Sequence, residues 1–216
     1  MLVSSLQILP IVSQPFAENS YLLYRDGSHE AIVVDPGLEP AAIHRQLKKR
    51  NLRLVAILNT HGHADHIAGN EAMKLLFPTA PLLIGERDAV MLKDPALNLS
   101  LPFGMPLVSP PADQLLQDGD LIEFAGIKLL IRDLPGHSPG HIVFIGEEED
   151  RKFVLAGDTL FEGSIGRTDF PGGSLEQLLQ GIRQVLFTLP EDTMILPGHG
   201  NSTTVGVERD TNLYLQ

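Results

Sequence analysis

The sequence predicts an α/β chain in which two β-sheets pack face to face and helices cover their outer faces. Short apolar strands alternate with amphipathic helices, which is typical of sheets covered by helices. The strands fall into two groups, one in each half of the chain, which favours two sheets over one. With 216 residues, 43% of them hydrophobic, the chain is long enough to bury a substantial core, and we predict one domain, 1–216.

The first half supplies the predicted elements of one sheet. Apolar residues four apart, Ile43 and Leu47, indicate a helix over 40–50, and a second helix is predicted over 67–77. The run 54–58 is short and continuously apolar, as in a buried strand, and it leads directly into a histidine-rich segment. The predicted strands of this half are 6–12, 21–25, 31–34, 54–58 and 82–84.

The second half repeats this organisation after a long loop. Residues 94–111 contain five prolines, so we predict a loop there. One helix is predicted over 174–186. The predicted strands are 121–124, 128–134, 142–145, 153–156 and 193–196.

Composition excludes several classes of partner and chemistry. The net charge is -11, from 16 Lys+Arg against 27 Asp+Glu, which argues against a nucleic acid or an anionic membrane as partner. The absence of cysteine excludes disulfides, thiolate ligands and a cysteine nucleophile. The segment MLVSSLQILPIV lacks the features of a signal peptide, and no apolar run approaches the length of a membrane helix, so we expect a cytoplasmic protein.

One short segment concentrates side chains that bind metal ions. Residues 60–66 read THGHADH and follow the predicted strand 54–58, so His61, His63, Asp65 and His66 can point from a strand end into one cavity. Neutral imidazole and carboxylate suit zinc, iron or manganese. A polar surface turn is the alternative, but it does not explain why ligand-type residues cluster here.

Three further candidates share one local design. His137, Asp158 and His199 each follow a predicted strand, and each comes directly after a glycine, which allows a sharp turn. One such residue is weak evidence, whereas three beside the first cluster indicate a metal centre.

These motifs resemble the metallo-β-lactamase superfamily and, within it, the glyoxalase II-like hydrolases. The matching segments are THGHADH at 60–66, PGHSPGH at 135–141, GDTLF at 157–161 and PGHG at 197–200. The segment 163–170 further resembles short glyoxalase II-like proteins and persulfide dioxygenases. The resemblance implies a four-layer αββα sandwich, the metallo-β-lactamase fold, with two divalent metal ions at one edge of the sheets.

The resemblance also implies a ligand set. One ion would take His61, His63 and His137, the other would take Asp65, His66 and His199, and Asp158 would bridge them. Zinc is the first expectation for both ions, with iron or manganese as alternatives. Two residues are predicted to lie behind the ligands: His141, as a strand-facing or supporting residue, and Asp35, which either orients an imidazole or only shapes a turn. His29 and His44 lie on polar stretches and are predicted to be solvated.

The predicted reaction is hydrolysis of a small-molecule thioester, with a water activated between the ions as nucleophile. Asp65 would orient this water and accept a proton, which makes it the candidate catalytic residue. A thiolate, with a parent pKa of about 8.5, leaves without a strong general acid. The resemblance implies S-lactoylglutathione as the substrate.

One feature departs from the family. Classical glyoxalase II carries a C-terminal helical region that helps to bind glutathione, and the 16 residues at 201–216 are too few for it. Candidate substrate residues are Phe103, Met105 and Phe161, although loop 94–111 could instead serve packing or a dimer contact, and either a monomer or a homodimer fits. Arg167 could meet a substrate carboxylate or pair with Asp169.

Several alternatives stay open. A mononuclear iron persulfide dioxygenase would use His61, His137 and Asp158. A lactone or other ester hydrolase fits the same nucleophile, and a non-catalytic binding protein could use the metals for stability alone. A β-lactamase is less favoured, since the ligand set with a cysteine is impossible, and a nuclease is disfavoured by the acidic charge.

Overall fold

The computed structural model describes residues 4–216. Residues 1–3, with which the predicted domain and the segment examined for a signal peptide both begin, lie outside the described residues. The domain bounds 1–216 stay a prediction.

Six strands from the first half form one mixed sheet. Its first three strands pair antiparallel, and the pairs from the third strand onward are parallel. In sheet order the strands are β1 (Leu6–Ser13), β2 (Glu18–Arg25), β3 (Glu30–Val34), β4 (Arg53–Asn59), β5 (Leu82–Gly85) and β6 (Gln114–Leu116).

Six strands from the second half form the other sheet, and a short hairpin lies beside it. One pair, β10 with β13, is parallel, so the carboxyl ends of these two strands lie at the same edge. The strands are β7 (Leu121–Phe124), β8 (Ile127–Asp133), β9 (Ile142–Glu148), β10 (Arg151–Gly157), β13 (Met194–Pro197) and β14 (Thr203–Thr204), in the sheet order β14-β13-β10-β9-β8-β7. The hairpin consists of β11 (Leu160–Phe161) and β12 (Ser164–Ile165).

Helices flank both sheets. Asn51 ends the first helix in the left-handed conformation, and the hydroxyl of Ser174 accepts a hydrogen bond from the backbone N–H of Gln177 at the start of the fourth. The helices are α1 (Pro40–Arg50), α2 (Ala64–Ile67), α3 (Asn70–Leu76), α4 (Leu175–Gly181) and α5 (Val205–Thr211), with 3₁₀ segments at Glu86–Lys93 and Leu101–Phe103 and a π-helical segment at Ile182–Leu186.

The packing is that of a four-layer αββα sandwich, which confirms the predicted fold. Neighbouring residues of a strand face opposite sides of its sheet. Leu23 therefore packs between the sheets with Phe144, whereas Leu22 packs outward with Ile43 of α1. On the outer face of the second sheet, Leu178 of α4 belongs to a third apolar cluster.

The helix predicted over 67–77 is present as α3, but it begins three residues later than predicted, because a break separates it from α2. The backbone N–H of Gly69 donates to Pro36 O at 2.7 Å instead of continuing the helix. A Cβ on Gly69 would lie 2.8 Å from the carbonyl oxygens of Pro36 and Gly37, so the residue must be small. The loop after β3 thus interrupts the helix and fixes α2 beside it.

Other differences are at the ends of elements. The helix predicted over 174–186 begins after its cap, Ser174, and changes to a π-helical segment at Ile182. The predicted strands begin and end within three residues of the observed bounds. The predicted loop 94–111 holds one 3₁₀ turn. The strands β6, β11, β12 and β14 were not predicted, since two or three residues carry no readable period, and the helix α5 was not predicted either.

The layers bring several strand ends to one edge. The carboxyl ends of β4, β8, β10 and β13 precede the segments that carry the candidate ligands. Within residues 4–216, every helix is too short or too polar to cross a bilayer.

Candidate metal centre

The segment after β4 carries four candidate ligands on one turn and one short helix. His63 immediately precedes α2 and has an extended backbone, while Asp65 and His66 lie on α2. Gly62 lies between the first two histidines, and a Cβ there would lie 2.5 Å from Cβ of Met91. The turn therefore needs glycine, and it packs His61 and His63 with their rings 4.7 Å apart.

The second sheet contributes three ligands at turns that contain glycine. Gly136 and Gly157 have positive φ values, of 131° and 49°, directly before His137 and Asp158. The backbone N–H of Gly198 donates to Gly157 O at 2.8 Å, so the ends of the parallel strands β10 and β13 stay together. This pairing places His199 beside Asp158.

The structure brings the predicted ligands together in two groups. In each group the potential ligand atoms lie within 4.8 Å of one another. The groups are His61, His63 and His137, and Asp65, His66 and His199. Each group draws residues from both sheets. A third group, which overlaps them, combines Asp35 with His61 and His66.

Asp158 lies between the two groups. One carboxylate oxygen, Oδ2, is 3.5 Å from Nε2 of His137 and 3.5 Å from Nε2 of His199. Its Oδ1 is 3.4 Å from Nε2 of His66. A carboxylate in contact with both groups has the position that a bridging ligand requires.

Hydrogen bonds on the far side of the rings orient four of the histidines. Nδ1 of His137 donates to Arg167 O at 2.9 Å, and Nδ1 of His199 donates to Phe16 O at 3.1 Å. A carbonyl oxygen only accepts, so the proton sits on Nδ1 and the lone pair of Nε2 faces the centre.

Asp35 orients the other two of these rings, as one of its two interpretations predicted. Its Oδ2 accepts from Nδ1 of His66 at 3.1 Å and from the hydroxyl of Thr60 at 2.7 Å. That hydroxyl has used its proton, so it accepts from Nδ1 of His61 at 3.0 Å. Asp35 therefore acts on both histidines, although it also belongs to a potential ligand group.

Unpartnered polar atoms show that a cation fits here. Nε2 of His61, Nε2 of His66 and Oδ1 of Asp158 are buried without a hydrogen-bond partner. Buried polar atoms normally have partners, so these three need one. Divalent ions in the two groups would satisfy all of them, and imidazole with carboxylate suits zinc, iron or manganese.

The protonation states in one part of the site suit a bound cation. Burial and the neighbouring His66 hold the pKa of His61 well below its usual range, and burial and His137 lower the pKa of His63 to about 3. Burial also opposes the charged form of Asp158, but His66 and His137 outweigh it and hold the pKa of Asp158 below its usual range. Neutral His61 and His63 beside an ionised Asp158 are in the protonation states that bind metal. In the other group, burial opposes the charged forms of His66 and His199, but Asp158 and Asp65 outweigh it and raise the pKa of both, so binding of a cation there would release protons.

His141 lies behind the ligands, as predicted. Its Nε2 accepts from the backbone N–H of Asp158 at 3.1 Å, and its ring stacks on that of His61 with centroids 4.8 Å apart. It belongs to none of the three potential ligand groups in the described residues. Of the two histidines predicted to be solvated, His29 is exposed, whereas His44 is half-buried with its ring against Phe77, so that prediction is wrong for His44.

Sequence reasoning missed Asp88. This carboxylate is fully buried on the 3₁₀ segment Glu86–Lys93. It accepts from Gly62 N at 3.2 Å, from the hydroxyl of Ser138 at 2.6 Å and from Gly140 N at 2.6 Å. It thus joins the turn that carries His61 and His63 to the turn that carries His137, although no motif marks it.

A cavity of about 460 Å³ opens onto the candidate ligands. Three of the four predicted substrate residues, Phe103, Phe161 and Arg167, line it. Arg167 forms a bidentate pair with Asp169, with both distances 2.8 Å, and lies 4.1 Å from the ring centroid of Phe170. Arg167 therefore pairs with Asp169, as the alternative interpretation predicted. Met105 lines a neighbouring cavity instead.

Comparison with known proteins defines the class to which this fold and site belong. The sequence model of the metallo-beta-lactamase superfamily matches residues 13–199. The chain belongs to the metallo-beta-lactamase superfamily, a superfamily of metallo-hydrolases, which supports an enzyme and confirms the resemblance that the motifs carry.

Particular relatives match over nearly their whole length. Hydroxyacylglutathione hydrolase GloC of Haemophilus influenzae is 36% identical and the match covers 98% of both chains. The crystal structure of BLEG-1 B3 metallo-beta-lactamase is 37% identical with a TM-score of 0.92, covering 97% of this chain and 100% of that one. TTHA1623 in a di-iron-bound form is 33% identical with a TM-score of 0.82, covering 96% and 100%.

Proposed function

We propose that this protein is a hydrolase with two metal ions that cleaves thioesters, with S-lactoylglutathione as the substrate to test first. The observation that carries the proposal is the convergence of the two ligand groups and Asp158 on one cavity, with buried nitrogens that lack partners. The similarity to a hydroxyacylglutathione hydrolase supports this choice of substrate.

Two divalent ions, zinc first, would occupy the two groups. His61, His63 and His137 would hold one ion, Asp65, His66 and His199 would hold the other, and Asp158 would contact both. When bound, such ions polarise a carbonyl and lower the pKa of water towards neutrality. The di-iron form of TTHA1623 makes iron the first alternative, and manganese is the second.

The chain itself orients water and accepts its proton. Asp65 lines the cavity, and its Oδ2 lies 3.3 Å from Nε2 of His199. Because its carboxylate faces the cavity, Asp65 can hold a water beside the substrate carbonyl and take up the proton that the water loses. Water then adds to the acyl carbon, the C–S bond breaks, and the products are a carboxylic acid and a thiol.

The leaving group fits the side chains around the cavity. A thiolate, with a parent pKa of about 8.5, leaves without a proton donor, whereas an amine needs one. Phe103, Phe161 and Phe170 line the cavity and would shield an apolar part of the substrate from water. These properties favour a thioester over an amide.

The test is hydrolysis of S-lactoylglutathione measured together with metal content. We expect the purified protein to hold two ions and to release thiol. Asp158→Ala should lose one ion and reduce kcat/KM by at least about 100-fold, because the two ion sites share this carboxylate. Asp192→Ala is the matched control, since Asp192 is exposed and lies outside the potential ligand groups of the described residues.

Full activity of Asp158→Ala, or equal activity after complete removal of metal, would contradict the proposal. Oxygen uptake with glutathione persulfide and one iron per chain would instead support the persulfide dioxygenase, which needs only His61, His137 and Asp158. That alternative leaves His63, Asp65, His66 and His199 without a role, although all four belong to the two potential ligand groups.

Cleavage of a β-lactam is a second candidate. The similarity to BLEG-1 B3 metallo-beta-lactamase favours it, and that similarity extends over 97% of this chain. A chromogenic cephalosporin assayed with the same preparation compares the two activities directly. We expect the larger kcat/KM for the thioester, since a β-lactam nitrogen needs a proton donor that the thiolate does not.

A further inference from the structure

A second cavity of about 520 Å³ adjoins the cavity of the candidate metal centre. Phe16, Ala64, Asp65 and Phe103 line both cavities, so the two meet at these four residues. We call the one beside the ligands the metal lobe and the other the side lobe. Asp65, the proposed proton acceptor, lies at their boundary, so a substrate whose carbonyl reaches Asp65 can extend into either lobe.

The side lobe is lined mainly by apolar side chains. Leu38, Ile67, Met105, Leu107 and Val108 contribute to it, and Ala68 leaves space at the end of α2. Among the described residues that line it, the charged groups are the carboxylates of Asp65 and Glu71, with no lysine, arginine or histidine. An anionic arm would therefore meet charge of its own sign and find no cation to pair with.

The aromatic boundary suits a narrow chain. Phe16 and Phe103 meet edge to face with ring centroids 5.5 Å apart, and both rings are partly exposed, at 37% and 61%. Exposed aromatic edges on two facing loops gain from covering an apolar group. A methylene chain that passes between the lobes would contact both rings.

Apart from the two proposed metal ions and their ligands, the metal lobe offers one cationic side chain to an anion. Arg167 is its one arginine or lysine among the described lining residues, and the bidentate pair with Asp169 already uses that guanidinium. Away from the proposed ions and their ligands, the two carboxylates of a glutathione arm therefore have at most one shared partner in the metal lobe and none in the side lobe. The two lobes therefore differ in their charged side chains. The metal lobe is lined by ligand histidines and Arg167, whereas the charged side chains that line the side lobe are the carboxylates of Asp65 and Glu71.

We propose that the side lobe is a substrate subsite for an uncharged apolar arm, several carbons long, of the ester or thioester that is cleaved beside Asp65. The arm is either the acyl chain or the substituent of the thiol, which share this chemistry. The proposal rests on the hydrolase function proposed above and adds to it the class of substrate.

The test uses two series of uncharged thioesters with the metal-loaded protein. One series lengthens the acyl chain from two to ten carbons on N-acetylcysteamine, and the other lengthens an alkyl thiol that carries an acetyl group. We expect kcat/KM to rise along one series by about tenfold or more for every two methylenes, as for other apolar pockets. The series that rises identifies the arm.

Two variants test the subsite from opposite directions. Ala68→Phe fills the side lobe and should lower the ratio of kcat/KM between the longest and shortest substrates by about tenfold or more. Glu71→Lys places a cation there and should raise kcat/KM for a chain that ends in a carboxylate relative to its uncharged counterpart. Ala41→Phe and Glu176→Lys make the same changes at exposed helical positions and should leave both ratios unchanged.

A binding measurement separates this subsite from the reaction. In a ketone analogue, CH₂ replaces the thioester sulfur, so it cannot be hydrolysed, and calorimetry should show its Kd falling with chain length and rising in Ala68→Phe. Turnover of thioesters with no dependence on chain length in rates or in Kd would overturn the subsite but leave the proposed function. Chain-length-dependent Kd values without turnover of any thioester would overturn the proposed function instead.

Discussion

Single carboxylates hold the candidate ligands in place. Asp88 receives three hydrogen bonds from two separate turns, and Asp35 acts on two imidazoles, directly on His66 and through Thr60 on His61. Neither carboxylate needs to contact an ion to affect metal binding, because groups behind the ligands set the direction of the lone pairs. Their loss should appear in metal affinity as well as in activity.

Asp88→Asn tests this role. Oδ1 of Asp88 accepts from Gly140 N, and Oδ2 accepts from Gly62 N and Ser138, so an amide group in either position faces at least one donor. We expect a loss of about 1–3 kcal/mol in the free energy of unfolding. Metal affinity should fall about 10- to 100-fold.

Chemical denaturation and titration of the metal-depleted protein with zinc measure these two quantities. Asp210→Asn is the matched control, because Asp210 is exposed. Wild-type zinc affinity in Asp88→Asn would mean that the ligand turns hold their positions without this carboxylate.

At this scale the sequence predicted the ligands better than their supports. His137, Asp158 and His199 could be recognised because each carries its own local signal, a strand end followed by glycine. Asp88 carries no such signal, since its partners Gly62 and Gly140 lie 26 and 52 positions away. The carbonyl oxygens of Phe16 and Arg167 are part of the backbone, which every residue has, so their roles depend on the fold alone.

At the scale of elements, the contact between a loop and a helix break determines where α2 lies. The backbone N–H of Gly69 donates to Pro36 O, and the Asp65 carbonyl oxygen that a continuous helix would use lies 2.9 Å from the position of a Cβ on Gly37. The loop after β3 thus enters the space between the carbonyl of Asp65 and the N–H of Gly69. The spacing of apolar residues alone could not predict this break, because the apolar residues of α3 have the spacing expected of the helix predicted over 67–77.

Gly69→Ala should disturb both the loop and the ligands on α2. The added Cβ would lie 2.8 Å from two carbonyl oxygens, and such overpacking costs about 1–3 kcal/mol of stability. Because Asp65 and His66 lie on α2, we also expect reduced metal content. Thermal unfolding and metal analysis of the purified variant measure the two effects.

Gly206→Ala is the contrasting control for this substitution. Gly206 lies within α5, and the nearest atom to its added Cβ is 3.1 Å away on Glu191. Alanine favours a helix interior over glycine by about 1 kcal/mol, and the exposed Glu191 can shift more easily than the two carbonyl oxygens at Gly69, so Gly206→Ala should cost less stability than Gly69→Ala. A stable Gly69→Ala with full metal content would show that the helix break tolerates a side chain.

For the whole molecule, one ion pair joins the two sheets away from the ligands. Arg25 of β2 contacts Glu148 of β9 at 3.0 Å, and Glu148 also accepts from the backbone N–H of Leu6. The hydrogen bond from Arg25 holds the pKa of Glu148 below its usual range. A carboxyl whose pKa is lower in the folded state contributes stability above its unfolded pKa and loses it as the pH falls through the folded pKa.

Glu148→Gln should therefore destabilise the protein at pH 7 by about 1 kcal/mol or less, since the pair is partly exposed. The difference from the wild type should shrink below about pH 4, where the unfolded carboxyl is already protonated, and should be smallest below the folded pKa. Denaturant unfolding at pH 7, 5 and 3 measures this trend. A constant difference over that range would attribute the effect to packing rather than charge.

Removing the metal should lower the stability of the whole fold. A ligand at one hundred times its Kd stabilises the folded state by about 2.7 kcal/mol. For a chain of this size, chelation should lower Tm by about 5–10 °C. Differential scanning calorimetry before and after chelation measures this, and added zinc should restore Tm. An unchanged Tm in protein that has lost all its metal would mean that metal binding does not contribute to the stability of the fold.

The layers and the family could be predicted from the sequence because their signals are long or dense. Strands such as 54–58 and each of the four motifs can be recognised from residues that are neighbours in the sequence. The side lobe could not be predicted, since Phe16, Ala68 and Met105 come from three separate segments that only the folded chain brings together. Predictions from sequence are therefore strongest for the ligands and weakest for the space around them.

The division of each ligand group between the two sheets also affects how the protein is made. During synthesis a nascent chain gains His61 and His63 long before it gains His137, and His199 emerges last of all. Neither group exists until both halves have been translated and have docked, so we expect that the growing chain cannot capture its ions early. Metal would then bind only after the sandwich has assembled, so a chain that holds metal would be one whose two halves have docked correctly.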